Sequence, residues 1–161
     1  MSLISELEAQ LTHTAALVAP STVSVGRDHR GAGVVVAPGK VLTNAHNLRD
    51  RTVQITFDDG RVEQAKVVGA DPGHDLVVLD VDTGDAPALE WADRAPGLGA
   101  FVVAAARDGA GVRVTLGTVS QPSRSFRGPG GRPIALALEH TAPLARGSSG
   151  GPLTDLEGRL V

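Results

Sequence analysis

The chain of 161 residues contains no cysteine and no tyrosine, and its only aromatic residues are three phenylalanines and one tryptophan. The absence of cysteine excludes a disulfide framework and a thiolate zinc site, although it leaves the redox compartment open. Because aromatic side chains are so few, the core has to be built from Val, Leu, Ile and Ala. A content of 42% hydrophobic residues is enough for one compact domain or two small packed lobes.

The chain also lacks a basic run and a long apolar run. Its net charge is −3 and its pI is about 5.9, which argues against a nucleic-acid partner. No segment approaches the ~18 apolar residues of a membrane span. Residues 2–8 are acidic and lack the apolar core of a secretory signal, so the chain as written is expected in the cytoplasm. If an upstream signal was removed, the protein would be periplasmic or secreted.

Turn residues are abundant, with 20 Gly and 10 Pro. Residues 3–18 place apolar side chains at every fourth position and predict a helix that ends before Pro20. After Pro20 the apolar period changes from 3.6 to 2, which is typical of strands separated by turns. The predicted strands lie at 22–26, 33–37, 40–43, 53–57, 62–69, 75–82, 100–106, 112–121, 134–139, 151–154 and 159–161, with a loop at 122–133.

The predicted strands form two groups, separated by a connector rich in Gly, Pro and Asp. We predict an all-β fold of two antiparallel six-stranded β-barrels, because closure into barrels removes exposed strand edges. A single β-sandwich is the alternative. The chain ends where a fifth strand of the second group begins, so that barrel is expected to be incomplete. The predicted units are an N-terminal helix (1–20), a first barrel (21–82), a linker (83–99) and a second barrel (100–161).

A histidine and an aspartate occupy turn positions beside predicted strands of the first group. His46 follows the strand that ends in Leu42-Thr43-Asn44, and imidazole is the best general base near neutral pH. Asp75 directly precedes the apolar run 76–79, where a buried carboxylate could orient a histidine base. Each residue alone is better explained by an ordinary role, a surface histidine and a turn-capping aspartate.

The stretch Gly147-Ser148-Ser149-Gly150-Gly151-Pro152 is the third candidate. Its glycines allow a tight loop in which the backbone N–H groups of Gly147 and Ser149 converge on one point. An oxyanion of a tetrahedral intermediate would be stabilised there. In this frame Ser149 is the predicted nucleophile, because Ser148 occupies the variable position.

Together these segments resemble the chymotrypsin-fold serine peptidases, and within them the bacterial HtrA/Deg-like branch. The resemblance rests on "GAGVVVAPGKVLTNAH", "DPGHDLVVLDVD" and "ARGSSGGPLTDLEGRLV", which occur in the order typical of that branch. It implies a serine endopeptidase with its active site between the two barrels. The implied roles are nucleophile for Ser149, general base for His46, orienting carboxylate for Asp75, and an oxyanion hole formed by the N–H groups of Gly147 and Ser149.

The resemblance also carries expectations about substrate, cofactor and assembly. It places Pro143, six residues before Ser149, at the base of the S1 pocket, and the absence of an acidic residue there predicts small or aliphatic P1 residues. It implies polypeptide substrates, no metal and no cofactor. It also favours a homotrimer held by N-terminal elements, and helix 3–18 could serve that purpose or simply pack on its own barrel. His140 is assigned no role. The alternative function is a non-catalytic peptide-binding or chaperone-like module of the same fold, or an inactive fragment.

Overall fold

The computed structural model describes residues 2–108, 111–127, 131 and 133–161, except the side chain of His29. It begins with helix α1 (Leu3–Val18), in which the Ser2 hydroxyl caps the first turn by accepting a hydrogen bond from the Ser5 N–H. Gln10 donates from its side-chain amide to the Leu156 carbonyl over 2.7 Å, so the helix lies against the C-terminal segment. No helix in the described part of the chain is long and apolar enough to cross a membrane.

The first β-unit is a closed six-stranded antiparallel barrel, with the strand order β1-β2-β3-β6-β5-β4. Alternating side chains point inward along each strand and form a core of Val, Ile, Leu and Ala with one phenylalanine, Phe57. Its strands are β1 (Thr22–Val25), β2 (Gly31–Ala37), β3 (Lys40–Asn44), β4 (Thr52–Thr56), β5 (Val62–Asp71) and β6 (Leu76–Asp80).

The second β-unit is a four-stranded open antiparallel sheet with the order β10-β7-β8-β9, which amounts to a half-barrel. Its strands are β7 (Phe101–Asp108), β8 (Gly111–Arg127), β9 (Pro133–His140) and β10 (Leu153–Thr154). The closed barrel and the half-barrel confirm the predicted two-barrel class with an incomplete second barrel, rather than a single sandwich.

Two sequence-based predictions in the second unit were inaccurate. The predicted loop at 122–133 is strand as far as Arg127, because β8 continues past its pairing with β7 to pair with β9 across several register shifts; residues 128–130 and 132 lie outside the described part. The predicted strand 159–161 is reduced to single bridges, in which Leu160 pairs with Trp91 and with Thr154.

The two β-units pack against each other and against α1. A small apolar cluster joins them, with Val18 from the helix, Val34 from the first barrel and Ala105 from β7. Arg107 on β7 is 6% exposed and donates from Nε to the Thr22 carbonyl over 2.8 Å and from Nη2 to the Ala19 carbonyl over 3.2 Å. The same guanidinium pairs with the Asp58 carboxylate. These contacts fix β7 of the half-barrel against β1 of the closed barrel and the segment that precedes it.

Candidate active site

The closed barrel brings His46 and Asp75 together through its strand pairing. Strands β3 and β6 are antiparallel neighbours in which Asn44 lies opposite Leu76, so the turn after β3 and the turn before β6 meet at one end of the barrel. Asp75 Oδ2 lies 2.5 Å from Nδ1 of the His46 imidazole, and Asp75 Oδ1 accepts from the His46 backbone N–H over 2.9 Å. The carboxylate therefore holds both the ring and the backbone of the histidine.

Asp75 has an uncommon backbone conformation, with φ of +58°. Two donors from the neighbouring strand end hold it there, because its carbonyl accepts from the Ala45 N–H and from the Asn44 side-chain amide, each over 3.0 Å. The carboxylate is not the buried acceptor that the sequence predicted. Its side chain is 36% exposed, since the residue lies in the turn before β6 and not within the strand.

A second histidine–aspartate pair lies in the same turn. Asp71 Oδ2 lies 2.7 Å from His74 Nδ1, and Asp71 Oδ1 accepts from the Gly73 N–H over 3.0 Å. The hydrogen bond from His74 holds the pKa of the Asp71 carboxyl below its usual range. These contacts close the turn that leads into Asp75, and both side chains are exposed.

The loop containing Ser149 is fastened to the closed barrel by its backbone. The Ser149 carbonyl accepts two hydrogen bonds, from the Ala32 N–H over 2.8 Å and from the Asn47 side-chain amide over 2.7 Å. Asn47 directly follows His46 and is 3% exposed. The serine is thus attached to the same segment that presents the histidine.

Gly150 explains why a glycine must follow this serine. Its φ is +87°, and a Cβ atom built there would lie 2.3 Å from the Ala32 carbonyl oxygen and 2.4 Å from Thr43 Oγ1. The first of these atoms is backbone and cannot turn aside. Only glycine allows the loop to approach the barrel this closely.

The N–H groups predicted to form the oxyanion hole have no partner within the described part of the chain. Gly147 has φ of +86°, and neither its N–H nor that of Ser149 donates a hydrogen bond there. The intervening N–H, that of Ser148, is bonded to the Ala145 carbonyl over 3.1 Å. Two unpaired donors therefore flank a paired one at the tip of the loop.

The structure joins His46 to Asp75 and the Ser149 backbone to the histidine segment. It does not join the serine hydroxyl to the imidazole: among the described residues, Ser149 Oγ makes no hydrogen bond. The His46 side chain is 56% exposed. Hydrogen bonds of this kind often form only when substrate is bound.

A cleft of about 330 Å³ lies beside Ser149 on the side of the half-barrel. Pro143 does not line it but lines a smaller adjoining cavity, and its carbonyl accepts a hydrogen bond from Thr115 Oγ1 over 2.9 Å. The role of Pro143 at the base of S1 stays a prediction. Half of the residues that line the cleft are apolar: Ala104, Ala105, Leu144, Ala145, Pro152 and Leu153.

Two polar residues of this region have no role in the sequence analysis: His140 was considered and assigned none, and Asn47 was not considered. His140 lines the cleft, its Nδ1 accepts from the Ala142 N–H over 3.2 Å, and burial lowers its pKa. Asn47 links the loop to the barrel. The sequence could not predict these contacts, because the partner of Asn47 is 102 residues away and a lone histidine at a strand end is common.

Comparison with known proteins agrees with this architecture. The family profile of the trypsin-like peptidase domain matches residues 31–161. A "probable periplasmic serine endoprotease DegP-like" of Bartonella henselae is 35% identical over 160 residues, covering 88% of this chain and 30% of that protein. The "periplasmic serine endoprotease DegP" of Salmonella typhimurium is 35% identical over 137 residues, covering 81% of this chain and 28% of that protein. The chain therefore spans less than a third of the length of these relatives.

Solved structures show the same similarity in three dimensions. The active form of the Rv3671c protease of M. tuberculosis superposes with a TM-score of 0.81 at 28% identity, over 94% of this chain and 73% of that one. Deg5 superposes with a TM-score of 0.81 at 25% identity, over 96% of this chain and 83% of that one. The profile, the relatives and the shared fold lead to one conclusion: the chain belongs to the trypsin-like peptidase family, as a chymotrypsin-fold serine peptidase domain of the HtrA-like branch.

Proposed function

We propose that this domain is a serine endopeptidase in which Ser149, His46 and Asp75 form the catalytic triad. The observation that carries the proposal is the attachment of the Ser149 carbonyl to Ala32 and Asn47. It brings the glycine-rich loop beside a histidine that already has its carboxylate partner at 2.5 Å. Its relatives are named serine endoproteases, which supports the same reaction.

The reaction proceeds in two balanced halves. Ser149 Oγ attacks the scissile carbonyl carbon while His46 Nε2 takes the hydroxyl proton, which gives a tetrahedral oxyanion. Asp75 accepts the hydrogen bond from His46 Nδ1, which fixes the tautomer and stabilises the imidazolium. The histidine then protonates the leaving amine as the C–N bond breaks. In the second half His46 takes a proton from water as the water oxygen attacks the acyl carbon, and it returns that proton to Ser149 Oγ as the ester C–O bond breaks and the acid leaves. No metal or cofactor takes part in this chemistry.

The oxyanion is held by the backbone N–H groups of Gly147 and Ser149. Their lack of other partners in the described chain supports this role, because a donor already bonded elsewhere could not stabilise the developing charge. A preorganised backbone donor of this kind contributes about 10²–10³ in kcat.

The cleft beside Ser149 supports a preference for small or branched aliphatic P1 residues. Its small apolar lining suits side chains the size of alanine, valine or leucine, and no acidic residue among those described lines it to pair with Lys or Arg. A peptide library with every residue at P1 tests this preference, which a profile dominated by basic P1 residues would refute.

The names of the relatives and the exposed start of α1 support a location and an assembly for this protein. The relatives are named periplasmic proteases, so we expect this protein in the periplasm or secreted. Leu3 and Ile4 on α1 are 82% and 77% exposed, which supports the trimer implied by the HtrA-like resemblance. Light scattering on the full chain measures the assembly, and a monomer would contradict it.

Labelling with a fluorophosphonate probe tests the proposed nucleophile directly. Ser149→Ala is expected to abolish labelling and to lower kcat on an unfolded protein substrate by at least ~10⁴-fold. The matched control is Ser148→Ala, which alters the adjacent hydroxyl in the same loop and is expected to keep both. If Ser148→Ala instead removed both, the assignment of the nucleophile would be wrong. Peptide binding without labelling of the unaltered protein would favour the non-catalytic module.

A further inference from the structure

A second cleft, of about 350 Å³, lies on the closed-barrel side of the active site. We call it the arginine cleft, because Arg27, Arg30 and Arg49 line it together with Asn47 and Asp50. The first two arginines come from the connection between β1 and β2, and Arg49 comes from the segment after the His46 turn. The three side chains therefore converge from two loops of the same barrel.

The charges of the arginine cleft are not neutralised from within. Arg27, Arg30 and Arg49 form no salt bridge with any described residue, whereas five other arginines do: Arg61, Arg107, Arg113, Arg124 and Arg159. Asp50 lines the cleft, and Asp28 lies in the same connection as Arg27. Three cations against two carboxylates leave a local positive charge in a protein whose net charge is −3.

The arginine cleft adjoins the proposed nucleophile through Asn47. That residue lines the cleft, and its amide also donates to the Ser149 carbonyl over 2.7 Å. The other cleft, beside the oxyanion loop, lies on the half-barrel side of Ser149. The two clefts therefore share no lining residue, and the hydrogen bond between Asn47 and Ser149 links the wall of one to the wall of the other.

In the proposed reaction, the side on which the amine leaves decides which part of the substrate, before or after the scissile bond, contacts the arginines. His46 protonates the leaving amine, so the leaving peptide departs on the histidine side of Ser149. The chain segment on that side continues from His46 through Asn47 to Arg49. Residues that follow the scissile bond would therefore lie against the arginine cleft.

We infer that the arginine cleft is a subsite for acidic side chains of the substrate, Asp or Glu within the first few residues after the scissile bond. This inference rests on the proposed function, whose substrate class it narrows. A guanidinium matches a carboxylate with paired hydrogen bonds, and three guanidiniums around one cleft can accept the acid in more than one register. Asn or Gln at the same positions would be neutral and would lack this attraction.

Two quenched fluorescent peptides test the inference. They have the same residues before the scissile bond and carry either Glu or Gln at the positions after it. The expected kcat/KM is about three- to tenfold higher for the Glu peptide. The double variant Arg30→Ala/Arg49→Ala is expected to remove this preference, because it lowers kcat/KM for the Glu peptide more than kcat/KM for the Gln peptide. The matched control is Arg51→Ala, an exposed arginine that does not line the cleft and should keep the preference.

High salt gives a second readout, because exposed charges separated by more than a Debye length are screened. The preference should shrink between about 0.05 M and 0.5 M NaCl. Equal kcat/KM for the two peptides at low salt would overturn the inference and leave the proposed function intact. The same holds if Arg51→Ala loses the preference as fully as Arg30→Ala/Arg49→Ala does.

A binding experiment separates failure of the subsite from failure of the enzyme. Ser149→Ala is mixed with a fluorescent peptide that represents only the part after the scissile bond, with Glu or with Gln, and anisotropy gives the two dissociation constants. Tighter binding of the Glu peptide, lost when Arg30→Ala/Arg49→Ala is added, supports the subsite even if the unaltered protein cleaves nothing. Equal binding of the two peptides contradicts it, whatever the activity.

Discussion

The closed barrel and the half-barrel hold their shares of the proposed active site in different ways. The His46–Asp75 pair belongs to one unit, in which neighbouring strands β3 and β6 set the geometry over a core made by that unit alone. Ser149 belongs to the other unit, and the contacts to its carbonyl come from across the interface. The proposed base and its carboxylate therefore depend on the folding of one barrel, and the proposed nucleophile depends on the docking of two.

This difference teaches where the domain is vulnerable. A substitution inside the closed barrel disturbs the His46–Asp75 pair together with the barrel itself. A change at the interface can leave the pair in place and move the serine, and misplacement by about 1 Å can cost ~10² in rate. The interface is therefore where activity and folding can be separated by mutation.

Gly150→Ala should have the largest effect. The added Cβ would lie 2.3 Å from the Ala32 carbonyl oxygen at a φ of +87°, so the loop has to leave the barrel. We expect a fall in kcat of at least ~10²-fold with the barrel still folded, measured by peptide hydrolysis and by circular dichroism. Gly97→Ala is the control, because a Cβ there meets no atom within 4 Å. Full activity of Gly150→Ala would show that the loop does not need this contact.

Arg107→Met should lower the stability of the domain, because it weakens the contact between the two β-units. The substitution removes the donors to the Thr22 and Ala19 carbonyls while keeping an unbranched apolar chain. We expect the free energy of unfolding to fall by about 2–4 kcal/mol, measured by urea denaturation. The exposed Arg113, which pairs with Asp108, is the control, and Arg113→Met should cost less than about 1 kcal/mol. Equal losses would mean that Arg107 does not join the units.

Asn47→Ala should disturb the position of Ser149, and so lower activity, more than it lowers the stability of the fold. The Ser149 carbonyl loses one of its two donors, so we expect kcat to fall about tenfold with little change in KM. Asn47→Asp keeps the shape but sets a carboxylate against that carbonyl, and it should be at least as impaired. An active Asn47→Asp would indicate that the residue only fills space.

His140 should give the smallest effect, in the pH dependence of stability. Burial lowers its pKa in the folded chain, so as pH falls through about 6.5 the unfolded chain takes up a proton before the folded one does. Stability is therefore lost as pH falls. Urea denaturation at several pH values should show a slightly smaller acid loss for His140→Gln than for the unaltered protein. An equal or larger acid loss in the variant would contradict the effect of burial.

Much of the fold could be predicted from local pattern. The change from period 3.6 to period 2 after Pro20 separated the helix from the strands, and turn sequences such as Pro38-Gly39 divided the strands of the first barrel. The prediction was poorer in the second unit. The extension of β8 to Arg127 depends on register shifts with β9, and the strand expected at 159–161 is reduced to bridges of Leu160. Both outcomes depend on pairing between distant segments.

The sequence by itself determined the class of fold and the order of three motifs, because strand period, turn chemistry and a glycine-rich loop are local properties. It also determined the family, through residues 31–161. Only the tertiary structure decided what surrounds those motifs: the left-handed Asp75, the amide of Asn47 on the Ser149 carbonyl, and the convergence of three arginines. The reason is physical. These features are contacts between segments that are brought together only when the barrels close and dock.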